Sequence, residues 1–167
     1  MMETVPEDMG LKQALFARFE ANCPAPTILA TNTSDLPPLE IFKRVKNSSR
    51  VIMAHWFNPP HLMPTVEVAR LPDTDPKNWN LAVQVIQKAG KQAIKAAKPV
   101  QGLIVNRIAA AILREALDLV EQGVADAKDI DDAIKGSLAF RNVCVGFIKA
   151  MDLGGLDALA IDKIAGR

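Results

Sequence analysis

His55 and Glu67 are the two residues whose types and positions best suit chemistry. His55 directly follows the apolar run 51–54, which predicts a buried strand, and Glu67 interrupts a second apolar strand pattern. Because a buried carboxylate needs a partner, we expect Glu67 to pair with His55. Such a pair orients the imidazole and stabilises its protonated form, as a general base requires. The alternatives are a histidine that only caps its strand and a glutamate that faces water.

Other polar side chains could contact a ligand. Asn32, Thr33 and Ser34 directly follow the first predicted strand, and ligands of open α/β sheets bind at the carboxyl ends of strands. The same segment also suits a simple turn or a helix cap, which is the default interpretation from the residues alone. Asn106 is polar among apolar residues near a helix start, so it faces either the surface or a cleft. The aspartates at 126–132 suit a solvated helix start better than a metal site, and we predict no metal site.

The first 100 residues alternate between helical and strand-like patterns. Proline or aspartate stands at the predicted helix starts, and proline or glycine follows two of the ends. The predicted helices span residues 8–23, 38–45 and 75–90, and the predicted strands span residues 27–31, 51–54 and 65–69. In the third strand, Val66 and Val68 are expected on one side and Glu67 on the other. This alternation indicates an α/β layer.

The character of the sequence changes near residue 100. The later segments are helical only, with predicted helices at residues 103–121, 126–135, 143–153 and 156–164. We therefore predict two domains, residues 1–100 and residues 101–167, which meet at the segment 99–102. The fold class is α/β followed by all-α.

Composition narrows the function class. The chain has 167 residues, 49% of them hydrophobic, and a net charge of +1, which argues against a nucleic-acid partner. No apolar run is long enough to cross a bilayer, and the N-terminus does not have the pattern of a signal peptide. Cys23 and Cys144 are far apart and have no second cysteine nearby, which favours a reducing compartment. We expect a cytoplasmic protein without a membrane partner.

Seven sequence features together resemble the 3-hydroxyacyl-CoA dehydrogenase family, whose relatives include lambda-crystallin and L-gulonate 3-dehydrogenase. They occur in the family's order and spacing over essentially the whole chain. The form HWFNPPHLMP resembles the bacterial and fungal 3-hydroxybutyryl-CoA dehydrogenase-like branch. The features are residues 5–8 (VPED), Lys12, residues 28–34 (ILATNTS), 55–60 (HWFNPP), 64–68 (PTVEV), 102–107 (GLIVNR) and 152–157 (DLGGLD).

The resemblance implies a fold and an activity. The fold is a Rossmann-like NAD-binding domain followed by a helical domain that forms a homodimer. The activity is the NAD-dependent interconversion of (3S)-3-hydroxyacyl-CoA and 3-oxoacyl-CoA in fatty-acid or short-chain acyl-CoA metabolism. The sequence contains no G-x-G-x-x-G turn, where a dinucleotide pyrophosphate would meet a helix N-terminus. We therefore expect an N-terminally truncated chain, in which residues 1–100 are the C-terminal portion of the Rossmann-like domain.

The resemblance also implies roles for individual residues. His55 would take the proton from the substrate hydroxyl, and Glu67 would hold and polarise His55. Ser34 and Asn106 would bond the substrate oxygens near the reacting carbon. The positions that would contact the ribose and nicotinamide side of NAD are Glu7, Lys12, Ser34 and Asn58. The alternatives are a dehydrogenase of a small hydroxy acid, of the gulonate or carnitine type, and a non-catalytic dimerisation or structural remnant.

Overall fold

The computed structural model describes residues 1–154 of the protein. The chain divides into two compact units, Met1–Ala110 and Ala111–Arg167. The first unit contains a sheet with helices, and the described part of the second is helical. The predicted fold class, α/β followed by all-α, is confirmed.

Five strands form one sheet in the order in which they occur along the chain. β1 pairs with β2 and β2 with β3 in parallel, β3 and β4 are antiparallel, and β4 and β5 are parallel. The strands are β1 (Met2–Glu3), β2 (Leu29–Thr31), β3 (Val51–Trp56), β4 (Thr65–Arg70) and β5 (Gln92–Ala96). Three of them were predicted. Two strands were not predicted: β1, which has only two residues, and β5, a partly exposed edge strand that lacks a continuous apolar run.

Three α-helices pack in the first unit: α1 (Met9–Asn22), α2 (Pro38–Ile41) and α3 (Pro76–Lys88). The side chain of Asp8 caps α1 by accepting from the backbone N–H of Leu11 at 2.7 Å, and Asp75 caps α3 in the same manner. The predicted helix over residues 38–45 was too long. Backbone turns follow Ile41 and place Phe42 and Val45 in the core.

The sheet separates two apolar clusters. Side chains alternate across β3 and β4, so Met53 and Ala69 pack on the face that also buries Phe16 of α1 and Ile41 of α2. On the other face, Val66 and Val68 pack with Ala82, Val83 and Ile86 of α3. Glu67 therefore shares the face of Met53 and Ala69, as the alternation predicted.

The long helix α4 (Val105–Glu121) runs from the end of the first unit into the second. It begins two residues later than predicted because Gly102 and Leu103 have the positive φ angles +75° and +48°. The remaining helical segments are α5 (Ala127–Ala133), a π-helical segment (Ile134–Ala139), α6 (Phe140–Val145) and α7 (Phe147–Leu153).

Two predictions in the second unit need revision. The predicted helix 126–135 continues through the π-helical segment, and the predicted helix 143–153 is interrupted at Gly146, where φ is +85°. The predicted helix 156–164 and the end of the segment 152–157 lie outside the described residues. Within residues 1–154, none of the helices combines the length and apolar character that crossing a bilayer requires.

Candidate active site

His55 and Glu67 are paired across two antiparallel strands. The register of β3 and β4 places them directly opposite each other. Nδ1 of His55 lies 2.9 Å from Oε2 of Glu67, and the two residues are 4% and 0% exposed. Because an ionised carboxylate only accepts hydrogen bonds, Nδ1–H of His55 donates to Glu67. The predicted contact is therefore present, and it fixes the orientation of the imidazole ring.

The other imidazole nitrogen faces Ser34. Nε2 of His55 lies 3.0 Å from Oγ of Ser34, which follows β2 at the carboxyl end of that strand. Because Nδ1 carries the hydrogen that it donates in the hydrogen bond to Glu67, a neutral His55 keeps a lone pair on Nε2. The ring can then accept a proton on the side of Ser34. Ser34, His55 and Glu67 form one chain of hydrogen bonds that runs from a part-buried hydroxyl to a fully buried carboxylate.

Glu67 has partners on both of its oxygens. Oε1 accepts from the backbone N–H groups of Ile104 and Val105, at 2.9 and 3.0 Å. These groups belong to the start of α4, where backbone N–H groups have no partner within the helix and the helix dipole favours a negative charge. A buried carboxylate is costly unless it is hydrogen-bonded, and here three donors satisfy it. The fold thus stabilises a negative charge on the buried Glu67 beside the imidazole.

A second carboxylate holds the segment that carries Ser34. Oε1 of Glu7 accepts from the backbone N–H of Ser34 at 3.1 Å, and Oε2 accepts from the hydroxyl of Thr33 at 2.8 Å. Asn32 lies at the same end of β2, and its side-chain oxygen accepts from the backbone N–H of Trp56 at 2.8 Å. The default interpretation of residues 32–34 as a simple turn was therefore incomplete, because the segment forms hydrogen bonds that connect β2 to β3 and to the loop after β1.

Asn106 and Ser34 line the same cavity. The cavity has a volume of about 460 Å³, and its other lining residues include Asp35, Gln101 and Arg107. Nε2 of Gln101 donates to Oδ1 of Asp35 at 2.9 Å, so one side of the opening is polar. A ligand in this cavity would lie beside the hydroxyl that contacts His55. Asn106 and the Ser34 end of the Ser34–His55–Glu67 chain therefore line one cavity.

Lys12 is buried in an ion pair. Its ammonium donates to both oxygens of Glu3 at 2.9 Å and to the backbone oxygen of Val5 at 3.1 Å, and the residue is 1% exposed. The hydroxyl of Thr31 also donates to Glu3. The ammonium lies 3.7 Å from Oε2 of Glu7. Lys12 therefore faces the interior, and its connection to the outer edge of the site runs through Glu7.

Asn58 differs from the other predicted residues, because it neither forms a side-chain hydrogen bond in the described structure nor lines the cavity with Ser34 and Asn106. It is exposed in the loop after β3, ahead of a cis peptide bond to Pro59. Its side chain makes no hydrogen bond with any other part of the chain that the structure describes. The structure thus brings Ser34, His55, Glu67 and Asn106 together, with Glu7 beside them, and Asn58 has no hydrogen bond to any of them.

Several contacts of the site could not be predicted from patterns in the sequence. Glu3 lies in a two-residue strand, and the donors from Ile104 and Val105 are backbone groups, which leave no trace in residue type. The buried position of Lys12 could have been predicted from its spacing. Lys12 stands four residues before the core residue Phe16 and therefore lies on the buried face of α1. Within residues 1–154, no three His, Cys, Asp or Glu side chains are grouped so as to hold a metal ion.

The chain belongs to the 3-hydroxyacyl-CoA dehydrogenase family. Residues 1–99 match the family's NAD binding domain, and residues 102–161 match its C-terminal domain. The first match alone covers more than half of the 167 residues. The family consists of NAD-dependent dehydrogenases, and the resemblance given by the sequence motifs is confirmed.

Two curated relatives show the range of this family. The chain is 31% identical over 157 residues to 5-formyl-3-hydroxy-2-methylpyridine 4-carboxylate 5-dehydrogenase of Mesorhizobium japonicum, covering 94% of this chain and 51% of the relative. It is 35% identical over 156 residues to 3-hydroxyacyl-CoA dehydrogenase of Gibberella moniliformis, covering 93% of this chain and 48% of the relative. The chain thus spans about half the length of the curated relatives it matches.

A solved structure shares the fold over almost the whole chain. It is the crystal structure of 5-formyl-3-hydroxy-2-methylpyridine 4-carboxylic acid 5-dehydrogenase, described as an NAD⁺-dependent dismutase. The TM-score is 0.92 at 30% sequence identity, and the match covers 99% of this chain and 54% of the other. The described sheet and helices therefore share the fold of about half of that structure.

Proposed function

We propose that this protein works as an NAD-dependent oxidoreductase that interconverts (3S)-3-hydroxyacyl-CoA and 3-oxoacyl-CoA. The observation that carries the proposal is the hydrogen-bonded chain from Glu67 through His55 to Ser34. This chain ends beside a cavity large enough for the reacting part of a substrate. A general base oriented by a buried carboxylate suits the removal of a proton from a secondary alcohol.

The geometry of the three residues supports the following proton movements. Nε2 of His55 takes the proton of the substrate hydroxyl, which occupies the side of the ring that now faces Ser34. Glu67 stabilises the imidazolium through Nδ1–H, and the hydroxyl of Ser34 and the amide of Asn106 bond the substrate oxygen. NAD, when bound, supplies the acceptor for the hydride that leaves the carbinol carbon. In the reverse direction His55 returns the proton to the same oxygen.

The residues present fit the ribose and nicotinamide side of NAD in part. The side chain of Glu7 is 43% exposed and is fixed beside Ser34 by two hydrogen bonds. Both residues lie beyond the carboxyl ends of the parallel strands β1 and β2, where open α/β sheets bind their ligands. Glu7 and Ser34 would hold ribose and nicotinamide polar groups, Lys12 would act on them through Glu7, and Asn58 would close the outer side.

Replacement of His55 tests this proposal. NADH oxidation with acetoacetyl-CoA is followed by absorbance for the unmodified chain, His55→Gln and His61→Gln. The exposed His61 is a matched control, because the chain has two histidines. We expect turnover in the unmodified chain and in His61→Gln, and a loss of about 10²- to 10⁴-fold in His55→Gln. An active His55→Gln variant overturns the proposal. An unmodified chain that turns over neither an acyl-CoA nor a small hydroxy acid also overturns it.

A small hydroxy acid, of the gulonate or carnitine type, is the second candidate substrate. The observation that favours it is Arg107, which lines the cavity with Ser34 and Asn106 and forms no ion pair within the described part of the chain. A guanidinium group binds a carboxylate through two parallel hydrogen bonds. Comparison of Arg107→Ala with the unmodified chain separates the candidates. A rise in KM for the free acid without one for acyl-CoA favours the hydroxy acid.

The helical unit supports a homodimer through its apolar surface. Within residues 111–154 only Ile130 is buried. Leu113 and Leu117 of α4 are 59% and 54% exposed, and they are four residues apart on one side of the helix. We propose that a second copy covers this surface, and light scattering after size-exclusion chromatography tests it. The cytoplasmic location stays a prediction from the sequence, as does the alternative of a non-catalytic structural protein.

A further inference from the structure

A short loop contacts both ends of the Ser34–His55–Glu67 chain. The backbone N–H of Gly102 donates to the backbone oxygen of Ser34 at 3.0 Å. Two and three residues later, the N–H groups of Ile104 and Val105 donate to Oε1 of Glu67. The segment Gly102–Val105 therefore holds the first and the last member of the chain that passes through His55.

The conformation of this loop is unusual. Gly102 has a φ of +75°, and Leu103 has a φ of +48°; Leu103 is the sole residue other than glycine with a positive φ within the described part of the chain. A leucine in the left-handed region is strained, and such strain persists where the surrounding structure imposes it. Here the imposing feature is burial, because the side chain of Leu103 is 0% exposed in the core that contains Met53 and Ala69.

We propose that Gly102–Val105 is the positioning element of the site, with Leu103 as its anchor. The buried side chain fixes the left-handed turn, and the turn directs two N–H groups at Glu67. This inference rests on the proposed function for its meaning in catalysis, but the geometry it describes can be measured without turnover. Leu103 and Gly102 are positioning residues, since they would act on His55 through Ser34 and Glu67.

The segment is also in contact with the substrate cavity. Gly102 lines the cavity with its neighbours Gln101 and Asn106. A ligand that displaces Gly102 therefore displaces the loop that fixes Glu67. The loop couples the shape of the cavity to the orientation of the imidazole, which a cap that only ended a helix would not do.

The test compares alanine at two glycines with nearly the same positive φ. Gly90, just after α3, has a φ of +77° and lies outside the segment Gly102–Val105, and Gly102 has a φ of +75°. An added Cβ meets nothing within 4 Å at Gly90, and only ordinary contacts, the nearest at 3.4 Å, at Gly102. Gly90→Ala and Gly102→Ala thus impose the same kind of strain, and only one of them does so at the site.

The readout is nuclear magnetic resonance of the chain labelled with ¹⁵N at histidine. With two histidines in the sequence, the exposed His61 serves as an internal reference for His55. We expect the Nδ1–H signal of His55 to shift or broaden in Gly102→Ala and to remain in Gly90→Ala, with His61 unchanged in both. A His55 signal that is the same in Gly102→Ala and in the unmodified chain overturns the inference.

Two further variants keep the test decisive. Gly102→Asn should restore the unmodified His55 signal, because asparagine adopts the left-handed conformation more readily than alanine. Leu103→Ala, which removes the anchor, should change the His55 signal even if Gly102→Ala does not fold, and an unchanged signal there overturns the inference.

Activity separates this inference from the proposed function. If the chain turns over substrate, Gly102→Ala should lower kcat by about 10-fold or more with a smaller change in KM, since small misplacements of catalytic groups are costly. An unchanged kcat overturns the inference. If the unmodified chain shows no turnover, the proposed function fails, and the His55 signal still decides whether the loop positions the imidazole.

Discussion

Glu67 stands directly opposite His55 on the neighbouring strand, with 2.9 Å between Oε2 and Nδ1. Because side chains alternate along a strand, a slip of one residue in this pairing would turn Glu67 to the face that packs against α3. Val66 and Val68 flank Glu67 and fill that opposite face. The same apolar residues that fix the register of the sheet therefore fix the contact on which the proposed chemistry depends.

The first prediction concerns Glu67→Gln. A glutamine has one acceptor oxygen, whereas the carboxylate accepts from Nδ1 of His55 on one oxygen and from Ile104 and Val105 on the other. One of these donor sets must lose its acceptor. We expect a loss of about 1–3 kcal/mol in the free energy of unfolding, measured by urea titration. We also expect turnover to fall by about 10-fold or more, since the imidazole loses the charge that orients it.

Glu115→Gln is the matched control for this variant. Glu115 lies exposed on α4, and its replacement should change the free energy of unfolding by less than about 0.5 kcal/mol. Equal effects of the two substitutions would contradict the importance that we assign to Glu67.

A second prediction concerns Asn106→Ala. Asn106 is part-buried in the first turn of α4, and it lines the cavity beside Ser34. Its amide would bond the substrate oxygen, so its removal should reduce kcat/KM by about 10-fold while the free energy of unfolding changes by less than about 1 kcal/mol. Steady-state kinetics and urea unfolding of the same preparation measure both. If Asn106→Ala keeps full activity, the side chain has no part in substrate binding.

Sequence patterns predicted the parts of the site that depend on side-chain type within regular elements. His55 and Glu67 could be paired because each is a polar residue directly beside buried apolar residues of its strand. The ion pair of Glu3 and Lys12 could not be predicted, since a strand of two residues has no periodicity to detect. The donors of Ile104 and Val105 were also out of reach, because a backbone N–H is present in almost every residue type.

In the fold, too, the elements with a clear sequence pattern were predicted and those without one were not. Strands in which apolar residues dominate were predicted. β5 was not, because Gln92 and Lys95 are exposed at the sheet edge and weaken its apolar pattern. Capping residues such as Asp8 and Asp75 placed the starts of α1 and α3 well. The start of α4 was misplaced by two residues because the left-handed turn at Leu103 follows from its burial in the core, which sequence alone does not reveal.

The third prediction tests the interior position of Lys12. Lys12→Met leaves the carboxylate of Glu3 buried without its cation, and the loss of one partner of a buried pair costs about 3–5 kcal/mol. Lys128→Met is the matched control, because the ion pair of Lys128 and Asp132 is exposed and screened by solvent and should contribute little to stability. Urea unfolding midpoints of the two variants measure the difference. A Lys12→Met variant as stable as Lys128→Met would refute the buried pair.

The last prediction concerns pH and Glu20. Burial raises the pKa of its carboxyl group, but the backbone N–H groups of Lys46 and Asn47 and the guanidinium of Arg50 lower it more, so the pKa lies below its ordinary value. A depressed pKa means that the ionised carboxylate stabilises the folded chain at neutral pH. This contribution is lost as the pH falls through the folded-state pKa.

Glu20→Gln should therefore lower the free energy of unfolding by about 1 kcal/mol at neutral pH, because a charged acceptor is replaced by a neutral amide with one acceptor oxygen. The difference between the two proteins should shrink as the pH is lowered below the ordinary range of glutamate, since the unmodified Glu20 then becomes protonated. Urea titrations across this pH range measure it, with the exposed Glu40→Gln as control. A difference that is independent of pH would show that the charge of Glu20 does not stabilise the fold.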